Sequence, residues 1–291
     1  MAMYGKVEKT ALVTGASSGF GLLIAIELAQ RGYRVVAAMR DPGKQAALMQ
    51  EAERAGAAGS IEVVRLDVTD AETIDAAVSG MLRRYGRIGV LVNNAGMAVG
   101  GFAEEVPMAA WRAQMETNCL GLVAMTRAVL PAMRAQGGGT IIQMSSVSGL
   151  WGIPGFGAYA ASKFAVEGFS ESLRHEVAPF GIRVALVEPG AYRTAIWAKG
   201  FAEMHGQPDS PYADALKAVL GIARRTAETA PDPREVAELV GRLADKRRIS
   251  RLRYPIGRGA RLLPLAVRLL PWRVIEAATR RAIVKGGKTS S

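Results

Sequence analysis

The chain has 291 residues, 49% of them apolar and 22% charged, which is ordinary globular usage with enough length to bury a large core. Cys119 is the only cysteine, so an intrachain disulfide and a zinc-ribbon site are excluded, and no metal site is expected. The formal net charge of +11 is localised: residues 246–288 carry thirteen Lys or Arg against one acid, Glu276, while residues 1–245 are nearly neutral, so the excess charge says little about what the body binds.

The N-terminal residues MAMYGKVEKT have no apolar core of the signal-peptide kind, and the longer uncharged stretches are broken by Gly, Ser and Thr. A cytoplasmic protein is the expectation. In chain order, short apolar runs predict strands at 10–13, 34–38, 61–66, 89–92, 140–144 and 182–187, each of the kind buried on both faces. Helix-length segments lie between them, at 22–31, 42–55 and 73–85. A longer one runs from Met115, with Cys119, Leu122, Val129 and Met133 on one face, up to the stop at Gly137–Gly139. The next carries Val166, Phe169, Leu173 and Val177 on one face and stops at Pro179 and Gly181. This alternation predicts an α/β Rossmann fold, a doubly wound parallel sheet occupying residues 1–257 as a single domain. Residues 199–229 interrupt the pattern and read as an insertion near the end of a strand. Residues 253–257 offer one more strand. Residues 258–291 form a basic C-terminal extension, read as helical pieces interrupted by Pro264 and Pro271.

The first strand runs into TGASSGFG, residues 14–21, and then into a helix. Gly15 permits the sharp turn, Gly19 lets backbone approach a pyrophosphate, and Gly21 lets the helix pack on the sheet, with the helix N-terminus facing the phosphates. The same letters fit a G-x-S-x-G nucleophile elbow at Ser17. A hydrolase also needs a histidine base, and the two candidates, His175 and His205, are expected on the surface.

An NAD site usually places an acid about 20 residues beyond the glycines, to bind the ribose hydroxyls. Here that place holds Met39, followed by Arg40, whose guanidinium suits a 2′-phosphate and favours NADP(H) over NAD(H). Asp41 comes next and argues the other way if it turns inward. DVT (Asp67, Val68, Thr69) and NNAG (Asn93, Asn94, Ala95, Gly96) follow the third and fourth strands, at the carboxyl ends where a cofactor should lie. Asp67 is suited to accept a hydrogen bond from an adenine amine.

Tyr159 and Lys163, at i and i+4, share one helix face about one turn apart. A free phenol has a pKa of about 10 and transfers protons poorly at neutral pH. A nearby ammonium is expected to lower that pKa and make Tyr159 a general acid or base. Ser146 ends the fifth strand and is placed to hydrogen-bond a substrate carbonyl oxygen. Asn118, an unfavoured residue within a helix, is placed to hold a water that relays protons to Lys163.

With these residues in order and at compatible spacing, the chain resembles the short-chain dehydrogenase/reductases over residues 8–256. Residues 159–190 are similar to the branch containing hydroxysteroid and retinol dehydrogenases. The resemblance implies a catalytic tetrad of Asn118, Ser146, Tyr159 and Lys163. It also implies that Lys163 binds the nicotinamide ribose and Thr194 the carboxamide. The cofactor-binding set it implies comprises Gly15, Ser17, Ser18, Gly19, Phe20 and Gly21 of the first turn, then Arg40, Asp67 and Val68. Asn94, Ala95 and Gly96 follow, with Tyr159, Lys163, and Pro189, Gly190 and Thr194 of PGAYRT. The function implied is interconversion of an alcohol and its ketone or aldehyde by hydride transfer. A non-catalytic NADP(H)-binding sensor or scaffold is the alternative, though it need not keep Ser146, Tyr159 and Lys163 together.

Apolar residues beside the motifs (Met97, Val99, Phe102, Leu150, Trp151, Phe156, Tyr192, Ile196, Trp197 and Phe201) suggest a lipophilic substrate. Of these, Met97, Trp151, Phe156, Tyr192 and Trp197 are the expected pocket. The helices from Met115 and from Tyr159 resemble those that pair in the family's homodimers and homotetramers. The extension interleaves Leu, Val267, Trp272 and Ile275 with its charges. That favours an anionic membrane surface, or packing on the body, over nucleic acid.

Overall fold

The computed structural model describes residues 8–194 and 204–288. Seven strands form one parallel sheet: β1 (Lys9–Thr14), β2 (Tyr33–Met39), β3 (Ile61–Arg65), β4 (Val90–Asn93), β5 (Gly139–Met144), β6 (Ile182–Pro189) and β7 (Arg253–Ile256). Their order is β3-β2-β1-β4-β5-β6-β7, so the winding reverses between β1 and β4. A crevice beyond the carboxyl ends of these two strands is where such a sheet binds ligands. The six strands predicted from apolar runs are all present, each within one or two residues of its expected ends, and 253–256 is the seventh.

Strict alternation along each strand divides the core. Ala11, Val13, Val35, Ala37, Val90 and Val92 face one side, with α1 (Gly19–Gln30), α2 (Ala46–Arg54) and α8 (Arg234–Asp245) packed over them. Leu12, Val36, Leu91, Ile141 and Val184 face the other, covered by α3 (Ala71–Tyr85), α5 (Gly121–Ala135) and α6 (Gly157–Val177). Continuous apolar runs in the sequence therefore reflect two buried faces rather than one. α3 shows how local chemistry sets an element's ends. The Asp70 carboxylate caps it by accepting from the Glu72 and Thr73 N–H groups, and Gly86, at φ +68°, closes it in the left-handed region.

Three departures from the sequence expectation matter for the site. α1 begins at Gly19, not Leu22, so two glycines of the turn lie inside its first turn. Helical chain begins upstream of Met115, with α4 (Met108–Met115), and passes through a π-turn at Glu116–Leu120 before α5. The segment read as an insertion contains α7 (Ala213–Glu228). In the extension, Pro264 stands in the first turn of α9 (Leu263–Leu269), where proline is tolerated, so it starts a helix instead of interrupting one. Pro271 separates α9 from α10 (Trp272–Lys288), and α10 lies against α7.

Candidate active site

The first turn is built so tightly that only glycine fits at two places. A Cβ on Gly15 would sit 2.8 Å from the Ala95 Cα, and one on Gly21 would run into the Gly15 carbonyl and the Asn94 side chain. Asn94 staples this turn to the end of β4, its Nδ2 donating to the carbonyls of Thr14 (2.9 Å) and Gly15 (3.2 Å). The Thr14 hydroxyl accepts from the N–H groups of Asn94 and Ala95, both at 3.0 Å. Thr14 was not singled out by the sequence reading, although it opens the glycine motif. Asn94 thus serves the cradle by shaping it. Asn93, its neighbour, is buried and donates to Gln143 Oε1 at 2.8 Å and to Thr126 at 3.0 Å, which ties β4 to β5 and α5.

At the start of α1, Ser18 makes no side-chain cap and the first turn contains no acid, so the positive end of the helix is neither capped nor neutralised by its own sequence. Thr194 lies against this turn, 3.7 Å from the Cβ position of Gly19. The Phe20 ring is turned onto Tyr192 (centroids 5.6 Å apart, near edge-on), leaving its backbone at the turn. Ser17 is half-buried and has no histidine partner among the described residues. His175 is exposed, and His205 is half-buried with its N–H on the Gly100 carbonyl. The nucleophile-elbow reading of Ser17 therefore lacks a base.

Arg40 is exposed just beyond β2 and has no ion-pair partner among the described residues. Asp41 is engaged elsewhere: its Oδ1 accepts from the Gly43 N–H at 2.9 Å, capping a short 3₁₀ turn, and Lys44 faces its Oδ2 at 3.7 Å. The Asp67 carboxylate uses Oδ1 for the Thr69 N–H (3.0 Å) and hydroxyl (2.8 Å). The Val68 side chain is buried against Gly121, so any contact it makes to a cofactor is through backbone.

The residues expected to handle the proton, Ser146, Tyr159 and Lys163, come from two places, the end of β5 and α6. Ser146 follows β5, accepts from the Ser148 N–H at 3.1 Å and donates toward the Pro189 carbonyl at 3.5 Å. Tyr159 and Lys163 rise from α6. The Lys163 ammonium lies 5.7 Å from the Tyr159 ring centroid and donates to the Met144 carbonyl at 2.8 Å. Burial lowers the Lys163 pKa to about 8, partly opposed by Glu167. Burial also raises the Tyr159 phenol above its ordinary value, with a Ser146 hydrogen bond pulling the other way. The expected lowering of the Tyr159 pKa by the ammonium is not found: desolvation dominates, and the opposing influence comes from Ser146.

Asn118 sits in the π-turn, a local break of the kind often found at functional sites. Its buried side chain accepts from the Met97 N–H (2.8 Å) and donates to the Met97 carbonyl (3.0 Å) and Ser162 (3.2 Å). These bonds hold the loop after NNAG, where Gly96 lies close to Asn118. The Asn118 side chain is thus engaged in holding this loop. Gln114, one turn earlier and also missed in the sequence, holds the same loop through the Met97 carbonyl (2.9 Å) and the Val99 N–H (2.7 Å).

Of the expected pocket residues, Met97 and Trp151 are half-buried, and Phe156 is buried beside Gly100. Tyr192 is a correction. It is 1% exposed in the core against Phe20, with its hydroxyl on Glu235 at 2.9 Å, and is a packing residue. Among the other apolar candidates, Val99 is in a small cluster with Val106 and Ala158, and Phe102 stacks on Tyr212. Ile196, Trp197 and Phe201 lie outside the described residues.

A polar cluster behind Lys163 was not foreseen. Glu167, one turn along α6, and Glu188, near the end of β6, share Arg253 of β7, at 2.9 and 3.4 Å. Glu188 is wholly buried, and desolvation followed by the charge of Glu167 pushes its pKa up to about 8.

Residues 9–205 match the short chain dehydrogenase family. The chain is 45% identical to an uncharacterized oxidoreductase, YusZ, of Bacillus subtilis over 95% of this chain and 99% of that protein. It is 42% identical to human retinol dehydrogenase 8 (67% and 63% of the two chains) and 38% identical to rat estradiol 17-beta-dehydrogenase 1 (78% and 68%). Among solved structures it resembles a short-chain dehydrogenase from Streptomyces avermitilis, with TM-score 0.77, 33% identity and 98% of each chain covered. A Burkholderia phymatum relative in complex with NAD aligns with TM-score 0.77 at 28% identity (95% and 97%). A metagenomic one in complex with NADP aligns with TM-score 0.64 at 31% identity (82% and 92%). With the sheet order, the glycine cradle and the Ser146, Tyr159 and Lys163 cluster already in place, the chain belongs to the short-chain dehydrogenase/reductase family and has hydroxysteroid- and retinol-dehydrogenase-like relatives.

Proposed function

We propose that the protein is an NADP(H)-dependent oxidoreductase that interconverts a lipophilic alcohol and its ketone or aldehyde. The observation that carries this reading is the convergence of Ser146, Tyr159 and Lys163 in a sheet whose first turn is a glycine cradle. The cradle fits a dinucleotide: two glycine positions admit no side chain, and the adjoining helix end is uncapped and free of acids. When bound, the nicotinamide supplies or accepts the hydride.

The chain's own residues handle the proton and the orientation. In reduction, the neutral phenol of Tyr159 donates its proton to the carbonyl oxygen, and Ser146 orients that oxygen by a hydrogen bond. The raised pKa of Tyr159 favours the protonated donor at neutral pH. Lys163 is anchored by Met144 beneath the phenol, where its ammonium supports the charge that develops on the oxygen. Asn118 and Gln114 act as positioning residues by fixing the Met97 loop.

Arg40 favours NADP(H), because it has no ion-pair partner among the described residues while Asp41 is held in its own turn. The substrate class rests on half-buried Met97 and Trp151, buried Phe156, and relatives named for retinol and estradiol. Exposed Leu120 and Phe164, on the two helical segments expected to pair, support a homodimer or homotetramer.

The test is turnover of a panel of secondary alcohols and ketones with either cofactor, followed by NADPH or NADH absorbance. Turnover of apolar members with NADPH is expected. Tight cofactor binding with no turnover of any member would instead identify a binding module.

A further inference from the structure

We infer that α9 and the start of α10 form a docking surface for an anionic lipid bilayer. Six of the ten exposed large hydrophobic side chains among the described residues fall between 262 and 274. Leu262, Leu265 and Leu269 are 69, 56 and 73% exposed, and Trp272 is 65% exposed. Leu265 and Leu269, at i and i+4, share one face of α9, and Leu262 stands at its N-cap. Arg261, in the turn just before α9, and Arg268, within it, accompany these leucines.

The charge pattern selects the occupant. Arg258, Arg261, Arg268 and Arg273 are all exposed, and none has an ion-pair partner among the described residues. No acid occurs between Arg258 and Ile275. A second copy of this surface would bring like charges together without a counterion, whereas a leaflet of acidic lipids satisfies both features. Apolar side chains enter the acyl boundary, and arginines beside them reach the headgroups. Trp272 is the residue type that settles at that boundary. α10 itself lies against α7, and its Ile275 is buried.

The surface connects to the catalytic side through one helix. Val219 of α7 lies 3.4 Å from the Cβ position of Gly155, next to Phe156 and the start of α6. A docked protein would therefore present the substrate side near the lipid from which an apolar alcohol or ketone partitions; this last step rests on the reading under Proposed function.

The test is flotation of the full chain with vesicles of phosphatidylcholine alone and of phosphatidylcholine with phosphatidylglycerol. Binding is expected only to the anionic vesicles, falling as salt is raised. Each arginine removed should cost about fivefold in partitioning, so Arg261→Gln with Arg268→Gln should lose roughly 30-fold. Leu265→Asp with Leu269→Asp should abolish flotation while melting temperature and turnover of a water-soluble substrate stay unchanged. The Trp272 emission, taken as the difference from Trp272→Phe, should shift to the blue on binding. Failure to float with anionic vesicles at low salt would overturn the proposal. So would flotation indifferent to the leucine substitutions, or a leucine-dependent dimer or nucleic-acid complex in place of lipid binding. Flotation needs no turnover, so a chain that floats but reduces nothing would leave this surface standing and remove the enzymatic reading.

Discussion

The side-chain amide of Asn118 clamps both main-chain polar groups of Met97, accepting from its N–H at 2.8 Å and donating to its carbonyl at 3.0 Å. Asn118→Ala leaves the Met97 N–H without its partner at a part-buried site, while the Met97 carbonyl keeps the Gln114 amide. The expected cost is about 1–3 kcal/mol. Urea unfolding should show a lower midpoint at an unchanged slope, together with a fall in turnover as the loop after NNAG loosens. An unchanged midpoint would show that the clamp contributes nothing.

Arg40 is exposed beyond β2 with no ion-pair partner among the described residues, while Asp41 caps its own turn. A guanidinium–phosphate contact contributes about 1.5–3 kcal/mol, so NADPH should be preferred over NADH by roughly 10- to 100-fold in kcat/KM. Arg40→Ala should weaken NADPH use and leave NADH use nearly unchanged, with the NADPH effect shrinking at high salt. Steady-state kinetics with both cofactors decides this. Equal or better efficiency with NADH in the unmodified protein would make Arg40 a turn residue only.

Glu188 carries a pH dependence of stability. Burial, then the Glu167 charge, raises its pKa from an ordinary 4.5 to about 8, with Arg253 opposing. Between those values the folded chain holds a proton that the unfolded chain releases, so stability falls as the pH rises through this window. Lys163, lowered to about 8, has the opposite sign and adds stability as the pH rises above 8. Glu188→Gln should flatten the decline between pH 5 and 8, because the amide cannot ionise. Urea midpoints across that range test it, and an unaltered slope in the variant would assign the decline to other groups.

The sheet was legible because burial on both faces writes itself as uninterrupted apolar runs, as in 10–13 and 182–187, and each became a strand. The site motifs were legible where the backbone leaves no choice of residue, as at Gly15 and Gly21. What was hidden depends on contacts distant in sequence. Asn118 looked like a free polar residue because its partner Met97 is 21 positions away. Tyr192 looked like a pocket residue because it adjoins PGAYRT, yet its hydroxyl finds Glu235 and its ring finds Phe20. The Glu167, Glu188 and Arg253 cluster joins a helix and two strands with no local signal. The sign of the Tyr159 shift was missed for a related reason: spacing gave the ammonium, and only the fold gives the burial.

The central claim is that Tyr159 transfers the proton in a reaction on an alcohol/carbonyl pair. Its hydroxyl is the one atom lost in Tyr159→Phe, and the ring, α6 and the Lys163–Met144 bond can all remain. The direct measurement is kcat of this variant alongside its NADPH dissociation constant. A fall of about 10²- to 10⁴-fold in kcat, with NADPH binding nearly unchanged, is the predicted result. Near-normal turnover by the variant would contradict it.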